Sequence, residues 1–219
     1  MTTLLLDNFL EDKYSGYFSR YLQDDLEIFK ASNSEFPRSL KRYDHIILSG
    51  SEDSILTDKT WIEEEMGLVK EIIDLGIPTL GICFGHQLIA KALLGPDGVR
   101  RANPPEIGWK KVTVIKDNPL FTEVDKDFFV FNSHFDEVYR PTSDFEIIAS
   151  SAQCDIHAFQ IKNAPVWGIQ FHPEIDMESG KKFLLDIRHL AMDLDMDSII
   201  RKAKDSGISR RFFENFYGL

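Results

Sequence analysis

The sequence predicts an α/β fold with a mostly parallel central sheet flanked by helices and an added smaller antiparallel sheet. Up to about residue 95, short apolar runs alternate with helical stretches, the order that gives parallel strands covered by helices on both faces. After Gly95, strand-like runs follow one another with only short turns between them. The 219 residues are enough for one full core, so we expect residues 1–219 to form a single domain.

The first half of the chain contains the runs expected to form the parallel strands. They span residues 3–6, 27–30, 44–50 and 77–83. Helices are expected over residues 14–22, 61–75 and 88–94, and the second of these has Ile62, Met66, Val69 and Ile73 on one face. Gly76, with Pro78 two residues later, is a helix stop signal.

The second half supplies the strands of a mixed or antiparallel part of the fold and a helical tail. The strand-like runs span residues 110–115, 128–131, 145–150, 158–162 and 166–171. Residues 176–219 are expected to be a helical extension that packs on the domain, with a break near Ser206 and Gly207.

Composition excludes several classes of protein. The net charge of −11 and pI of about 5.0 repel phosphate backbones, so no nucleic-acid partner is expected. The apolar run at residues 3–6 is too short for a signal sequence, and no stretch approaches the roughly 20 apolar residues that span a bilayer. The two cysteines do not make a disulfide framework. We therefore expect a cytoplasmic protein with no membrane partner.

Cys83 has the local sequence of a catalytic nucleophile. Residues 81–87 read GICFGHQ, so a glycine stands two residues before the cysteine and another two after it. An apolar strand precedes this run and a helix follows it, as in the G-x-S-x-G nucleophile elbow, with sulfur in place of oxygen. The glycines permit a tight, strained turn, and the N-terminus of the helix favours a thiolate. The residue after such a nucleophile donates a backbone N–H to the oxyanion, which indicates Phe84.

A thiol nucleophile needs a base, and residues 168–174 supply the best candidate. They read GIQFHPE, which puts His172 at the end of a buried strand. Pro173 keeps His172 extended, and residues two apart in an extended segment point the same way. Glu174 is therefore expected to orient the imidazole, giving a Cys83–His172–Glu174 triad. Both Cys83 and His172 would lie at carboxyl ends of parallel strands, where α/β sheets place their sites.

Three other interpretations of these residues are weaker. A lone strand-end cysteine is commonly a packed hydrophobe, but the pairing of two motifs favours catalysis. The run SGSEDS at residues 49–54 resembles a phosphate loop of ATP pyrophosphatases, yet Glu52 would repel phosphate. The available cysteines and histidines lack the close paired spacing of a structural zinc site, so no metal and no cofactor are expected. Cys154 is expected to be a packed cysteine.

Residues 81–87 and 170–174 together resemble the class I, or triad, glutamine amidotransferases. The resemblance covers roughly residues 44–175 and includes Ser-His-x-Asp at residues 133–136 and Ala-Phe at residues 158–159. It implies a flavodoxin-like fold of the amidotransferase type. It also implies that Cys83 attacks the side-chain amide of glutamine, that His172 protonates the departing ammonia, and that water releases glutamate from a glutamyl thioester.

The resemblance also implies the remaining site residues. It puts the second oxyanion donor in the loop that contains Gly50 and Ser51. A common amidotransferase pattern has a second glycine at the position of Ser51, and the Ser-Gly-Ser version is similar to the stand-alone GMP-synthetase-like and gamma-glutamyl peptidase branch. By the same resemblance Gln87 contacts the bound glutamyl group, while Ser133 and His134 hold its amino-acid end.

Two enzymatic functions remain open from the sequence, with a third hypothesis from another class. The chain is either a glutaminase that feeds ammonia to a synthetase on another polypeptide, or a free-standing hydrolase of γ-glutamyl conjugates. The Ser-Gly-Ser loop and the long helical tail slightly favour the hydrolase. A non-catalytic module that kept the fold is the third hypothesis, and the complete triad argues against it.

Overall fold

A computed structural model describes residues 1–21, 25–190 and 194–219, and the strands of these residues form one sheet. The strands are β1 (Thr3–Leu6), β2 (Leu26–Phe29), β3 (His45–Leu48), β4 (Thr79–Ile82), β5 (Val99–Val114), β6 (Asp127–Val138), β7 (Phe145–Ser151), β8 (Ala158–Ile161) and β9 (Val166–Ile169). Their order across the sheet is β2-β1-β3-β4-β9-β8-β7-β5-β6. The α/β class predicted from the alternating pattern is confirmed.

The sheet is mixed and continuous rather than divided in two. Strands β2, β1, β3, β4 and β9 pair in parallel, and β8, β7, β5 and β6 continue the same sheet in antiparallel pairings. The expectation of a separate smaller antiparallel sheet is not confirmed, because β9 pairs with β4 along one edge and with β8 along the other. One strand therefore joins the two halves.

The helices cover the sheet and follow the predicted order. They are α1 (Asp12–Ser15), α2 (Thr60–Leu75), α3 (Phe84–Leu94), α4 (Met177–Asp186), α5 (Met196–Arg201) and α6 (Ser209–Tyr217), with short 3-10 helices at Gly16–Arg20, Ala31–Asn33, Pro96–Gly98, Pro119–Phe121 and Ile187–Leu190. Helix α2 ends at Gly76 in the left-handed conformation, as its stop signal predicts. No helix of the described residues has the length and apolar character needed to cross a membrane.

Three predicted elements differ from the structure, and one of them is the strand expected at residues 128–131, which belongs to the longer β6. The helix expected at residues 14–22 is split into α1 and a 3-10 helix, and Leu22 lies outside the described residues. The hydroxyls of Ser15 and Ser19 each donate to a carbonyl three residues earlier, which competes with regular α-helical bonding. Strand β5 starts at Val99 rather than residue 110, because a register shift between Arg101 and Glu106 accommodates two prolines within it.

The C-terminal helices pack on the body of the fold through aromatic side chains. Phe212 of α6 is fully buried, and its ring centroid lies 5.8 Å from that of Phe121 and 5.6 Å from that of Phe171. Phe213 stacks on Tyr21 at 5.1 Å. These contacts hold α6 against the body of the fold, and the assignment of residues 176–219 as an extension of one domain stays a prediction.

Two glycines let the helix after β4 approach the sheet closely. A Cβ added at Gly85 would lie 2.3 Å from the Leu48 carbonyl oxygen, and one at Gly81 would lie 2.6 Å from the Gly85 backbone. Gly85 N–H also donates to the Ser49 carbonyl at 3.1 Å. The start of α3 is thereby held against the end of β3.

We expect Gly85→Ala to lower the free energy of unfolding by about 1–3 kcal/mol, because the added methyl group meets backbone that cannot rotate away. The measurement is urea unfolding followed by circular dichroism. Gly67→Ala is the matched control: an added Cβ meets nothing within 4 Å at this position of α2. That substitution should instead raise the stability by up to about 1 kcal/mol. Equal effects of the two changes would contradict the close-packing argument.

Candidate active site

Cys83 occupies a sharp turn between β4 and α3. Its backbone has φ 51° and ψ −97°, which is strained for a residue with a side chain. Its N–H donates to the carbonyl of Ile169 on β9 at 2.8 Å, and its Sγ lies 3.7 Å from the Ser133 carbonyl oxygen. The thiol lines a cavity of about 290 Å³. The predicted strand–elbow–helix arrangement is confirmed.

His172 reaches the same cavity from the end of β9. Its N–H donates to the Phe131 carbonyl at 2.9 Å, which fixes the backbone beside β6. Its Nδ1 lies 2.7 Å from Glu174 Oε1, and both side chains are buried. Cys83 and His172 line the same cavity, and the thiol is close enough to the ring to contribute to its raised pKa. The structure thus brings the three predicted triad residues together in the order thiol, imidazole and carboxylate.

The charges around His172 determine its protonation. Burial alone lowers the pKa of the imidazole, but the Glu174 carboxylate and then Cys83 outweigh burial and raise this pKa to about 10. The positive charge of an imidazolium stabilises negative charge on a neighbouring sulfur nucleophile. The same imidazolium holds the proton that an amine leaving group needs.

The predicted oxyanion residues lie together beside Cys83. Phe84 is the first residue of α3, so its N–H has no acceptor within the helix. A Cβ added at Gly50 would lie 3.0 Å from His172 Cε1 and 3.3 Å from Phe9 Cζ. The hydroxyl of Ser51 donates to the Asn8 carbonyl at 2.7 Å. Residues 49–51, here called the oxyanion loop, are therefore held close to the triad, and their role as oxyanion donor stays a prediction.

The three predicted substrate-binding residues line the cavity, but two of them are engaged by the protein. Gln87 Nε2 donates to the Asp136 carbonyl at 2.7 Å and to Gln170 Oε1 at 3.1 Å. His134 has Nδ1 3.1 Å from the Asp136 carbonyl and Nε2 3.0 Å from a carboxylate oxygen of Glu106. Both ring nitrogens of His134 thus face protein acceptors. The contacts of Gln87, His134 and Ser133 with substrate stay a prediction.

The structure adds a polar end of the cavity that the sequence argument did not include. The buried carboxylate of Asp136 accepts hydrogen bonds from the Ser54 hydroxyl and from Arg101 Nη1, the latter at 2.9 Å. Arg101 and Asp136 together offer both charges to an α-amino acid end. Asp136 closes the Ser-His-x-Asp segment, so the sequence contained a signal for it. No sequence signal indicated Arg101, because Arg101 lies close to Asp136 only through the β5–β6 pairing.

Three further residues that the sequence did not indicate form an apolar wall of the cavity. Phe9 follows β1, while Phe183 and Ile187 come from the helical tail. Phe9 contacts the oxyanion loop at Gly50 near His172, and Tyr14 lies between Phe9 and Phe183, with ring centroids 5.5 and 5.1 Å away. Single apolar residues in distant segments carry no sequence signal of a shared wall.

A buried polar cluster lies behind the cavity. Glu106 accepts hydrogen bonds from the Ser151 hydroxyl at 2.7 Å and from Nε2 of both His134 and His157 at 3.0 Å. Burial raises the pKa of Glu106, but these hydrogen bonds more than offset it and hold the pKa well below its usual range. Ligand atoms of Glu106, His134 and Cys154 also lie within 4.8 Å of one another, which sequence spacing did not reveal because they come from three segments. Both oxygens of Glu106 are hydrogen-bonded within the cluster, whereas His157 Nδ1 has no partner among the described residues.

Comparison with known proteins agrees with this geometry. The family model described as "Glutamine amidotransferase class-I" matches residues 14–191. A glutamine-hydrolyzing GMP synthase subunit of Methanocaldococcus jannaschii is 41% identical over 173 residues, which cover 78% of this chain and 84% of that protein. Gamma-glutamyl peptidase 2 of Arabidopsis thaliana is 30% identical over 212 residues, or 90% and 83% of the two chains.

A solved structure shares the fold at lower identity. A glutamine amidotransferase from Thermotoga maritima superposes with a TM-score of 0.82 at 22% identity, covering 99% of this chain and 96% of that one. The fold and site thus define a cysteine-dependent enzyme of the amidotransferase type. The chain belongs to the class-I glutamine amidotransferase family.

The Glu174→Gln variant distinguishes the role of Glu174, which orients the imidazole, from the role of His172 as the base. Glu174→Gln removes the anion that raises the pKa of His172, so this pKa should fall clearly below 10. We expect turnover to drop less than in His172→Ala, which should lose about 10³-fold or more. The imidazole pKa is followed by NMR on nitrogen-15-labelled histidine. Equal losses, or an unchanged His172 pKa, would contradict the assigned electrostatics.

Proposed function

We propose that the chain hydrolyses the side-chain amide of glutamine through a glutamyl thioester on Cys83. Cys83 and His172 line one cavity, and His172 Nδ1 lies 2.7 Å from Glu174 Oε1; this arrangement carries the proposal. The thiolate adds to the amide carbonyl carbon. The resulting oxyanion accepts hydrogen bonds from the backbone N–H groups of Phe84 and the oxyanion loop.

The rest of the cycle uses His172 twice. The imidazolium donates its proton to the amide nitrogen as the carbon–nitrogen bond breaks, and ammonia leaves. The neutral imidazole then takes a proton from water, the hydroxide attacks the thioester, and glutamate departs as the thiolate reforms. Glu174 stabilises the imidazolium at both stages without accepting its proton.

The ammonia would serve a partner synthetase. Relatives named as glutamine-hydrolyzing subunits of GMP synthase support this assignment, and they are matched over most of their length. We further propose that residues 1–219 act as one catalytic domain in a reducing cytoplasm. In this domain the mostly parallel half carries the triad, the antiparallel strands are an added lobe, and residues 176–219 pack against it.

A second candidate, a free-standing γ-glutamyl hydrolase, is favoured by the apolar wall. Phe9 contacts the oxyanion loop beside His172, and Phe183 and Ile187 extend the same wall. Because His172 protonates the leaving group, an amine with an apolar substituent would leave along this wall. The polar residues Asp136 and Arg101 would hold the glutamyl end. The similarity to a gamma-glutamyl peptidase supports this second candidate function.

Cys83→Ala should lower glutamine turnover by at least about 10³-fold, because the thioester cannot form. The far-ultraviolet circular dichroism should not change. A glutamine-like diazoketone should label the unmodified protein at Cys83, as read by peptide mass spectrometry. The control is Cys154→Ala, which removes the other, buried thiol and should keep both turnover and labelling. Activity retained in Cys83→Ala would exclude the thioester mechanism.

Assays with and without a partner separate the two candidates. We expect the purified chain to release ammonia from glutamine slowly and to be stimulated by extract of its source cells. The reason is that a glutaminase that feeds ammonia to a synthetase becomes fully active only when that synthetase is bound. Ammonia release is measured alongside hydrolysis of γ-glutamyl anilides. Rapid, unaided turnover of the anilides with no stimulation on glutamine would favour the free-standing hydrolase instead.

A further inference from the structure

Ser49 is a fully buried residue whose hydroxyl group the mechanism above does not use. It follows β3 directly, and its backbone N–H donates to the Leu6 carbonyl at 3.1 Å, which extends the pairing of β1 with β3. Ser49 is not one of the described residues that line the cavity. Any effect of its hydroxyl on catalysis therefore passes through neighbouring protein groups.

The Ser49 hydroxyl joins two backbone groups of the protein interior. Its Oγ accepts the N–H of Asn8 at 2.9 Å and donates to the Gly50 carbonyl, also at 2.9 Å. A hydroxyl group has one proton to donate and lone pairs to accept, so the two bonds use it in both capacities. Because Asn8 and Gly50 are also buried, water does not compete for these bonds.

The bond to the Gly50 carbonyl fixes the orientation of a peptide unit at the edge of the cavity. The N–H of this unit belongs to Ser51, and the peptide bond is trans, so its carbonyl and N–H point in opposite directions. With the carbonyl directed at the buried Ser49 Oγ, the Ser51 N–H is directed away from it. Ser51 lines the cavity beside Cys83, and its N–H has no backbone acceptor among the described residues.

Glycine at position 50 makes such a restraint necessary. A Cβ there would lie 3.0 Å from His172 Cε1 and 3.3 Å from Phe9 Cζ, so a side chain would crowd the catalytic imidazole. A glycine, however, leaves the backbone free to adopt several conformations. In the reverse orientation the Gly50 carbonyl would face the cavity, where its partial negative charge would repel an oxyanion.

The other contacts of the oxyanion loop hold the groups on either side of this peptide unit. The Ser49 carbonyl accepts Gly85 N–H at 3.1 Å and Asn8 Nδ2 at 3.2 Å. The Ser51 hydroxyl donates to the Asn8 carbonyl at 2.7 Å. Within the described parts of the chain, the donor to the Gly50 carbonyl is the Ser49 hydroxyl. It is therefore the group that selects between the two orientations of the central peptide.

We propose that Ser49 is a positioning residue, whose hydroxyl holds the Gly50–Ser51 peptide so that the Ser51 N–H serves the oxyanion together with the N–H of Phe84. This role rests on the proposed amide hydrolysis. Ser49 acts through the peptide unit and touches neither substrate nor triad. Because the oxyanion exists only after the thiolate has added, the loss of this restraint should lower kcat and leave KM nearly constant.

Two variants of the full-length chain test the role. Ser49→Ala removes the hydroxyl and should lower kcat for glutamine at least about tenfold, a part of the roughly 10²–10³-fold that the loss of a whole oxyanion donor costs. Ser49→Cys keeps the shape of the side chain but offers only a weak S–H donor, so its kcat should lie between those of Ser49→Ala and the unmodified protein.

Thr79→Val is the matched control. Thr79 is fully buried, and its hydroxyl donates to the Ile77 carbonyl at 2.9 Å. It is the first residue of β4, at the end of the strand remote from Cys83. This variant also loses a buried hydrogen bond to a carbonyl, and its thermal midpoint should fall, but its kcat should not change.

A second readout separates the oxyanion donor from the nucleophile. Alkylation of Cys83 by iodoacetamide passes through no oxyanion, so its rate should be the same in Ser49→Ala as in the unmodified protein. The rate is measured at the Cys83 peptide by mass spectrometry. A merely structural defect that displaced Cys83 or His172 would change this rate together with kcat.

Each outcome supports or overturns the proposal. An unchanged kcat in a folded Ser49→Ala protein would overturn it, as would a loss that appears wholly in KM or a parallel fall of kcat and the alkylation rate. If Ser49→Ala does not fold, Ser49→Cys decides alone: a lower kcat with unchanged alkylation supports the role, and an unchanged kcat rejects it. Failure of the underlying hydrolysis would appear differently, as activity that survives Cys83→Ala.

Discussion

The parallel pairing of β4 with β9 is the constraint on which the active site depends. Gly81 lies opposite Gly168 and Ile82 opposite Ile169, so both strands end at the same edge of the sheet. The hydrogen bond from Cys83 N–H to the Ile169 carbonyl continues this pairing into the elbow itself. The nucleophile and His172, which are far apart in the chain, are thereby delivered side by side. A slip of one residue would turn His172 to the other face of the sheet.

Glycines on β4 and β9 let helix α3 pack closely on this strand pair. A Cβ at Gly168 would lie 2.5 Å from the Phe159 ring and 2.7 Å from His86 Nδ1. Gly81 on the neighbouring strand β4 and Gly85 in α3 allow the same close approach of the helix to the sheet. The absence of side chains here lets α3 begin directly behind Cys83, which places the N–H of Phe84 and the oxyanion loop around one reacting centre. The strained backbone of Cys83 is held by these surrounding contacts.

Two buried acids illustrate how environment assigns different tasks to one functional group. Glu174 lies 2.7 Å from the His172 ring and raises the pKa of that imidazole. Glu65 has only an amide beside it, and burial raises its own pKa. The first acts as an anion that stabilises a cation, whereas the second meets no cation and burial favours its neutral form. The difference lies in the partner each acid meets in the fold.

The α/β class, most strand positions and the candidate triad of Cys83, His172 and Glu174 could be predicted from the amino-acid sequence. These follow from local rules: periodicity, glycine spacing at an elbow, and a carboxylate two residues after a strand-end histidine. The joining of both halves into one sheet by β9 is visible only in the folded chain, because strand order depends on long-range pairing. Only the tertiary structure brings Arg101 and Phe9 to the cavity. Their side chains converge from separate segments, so no local pattern records their proximity.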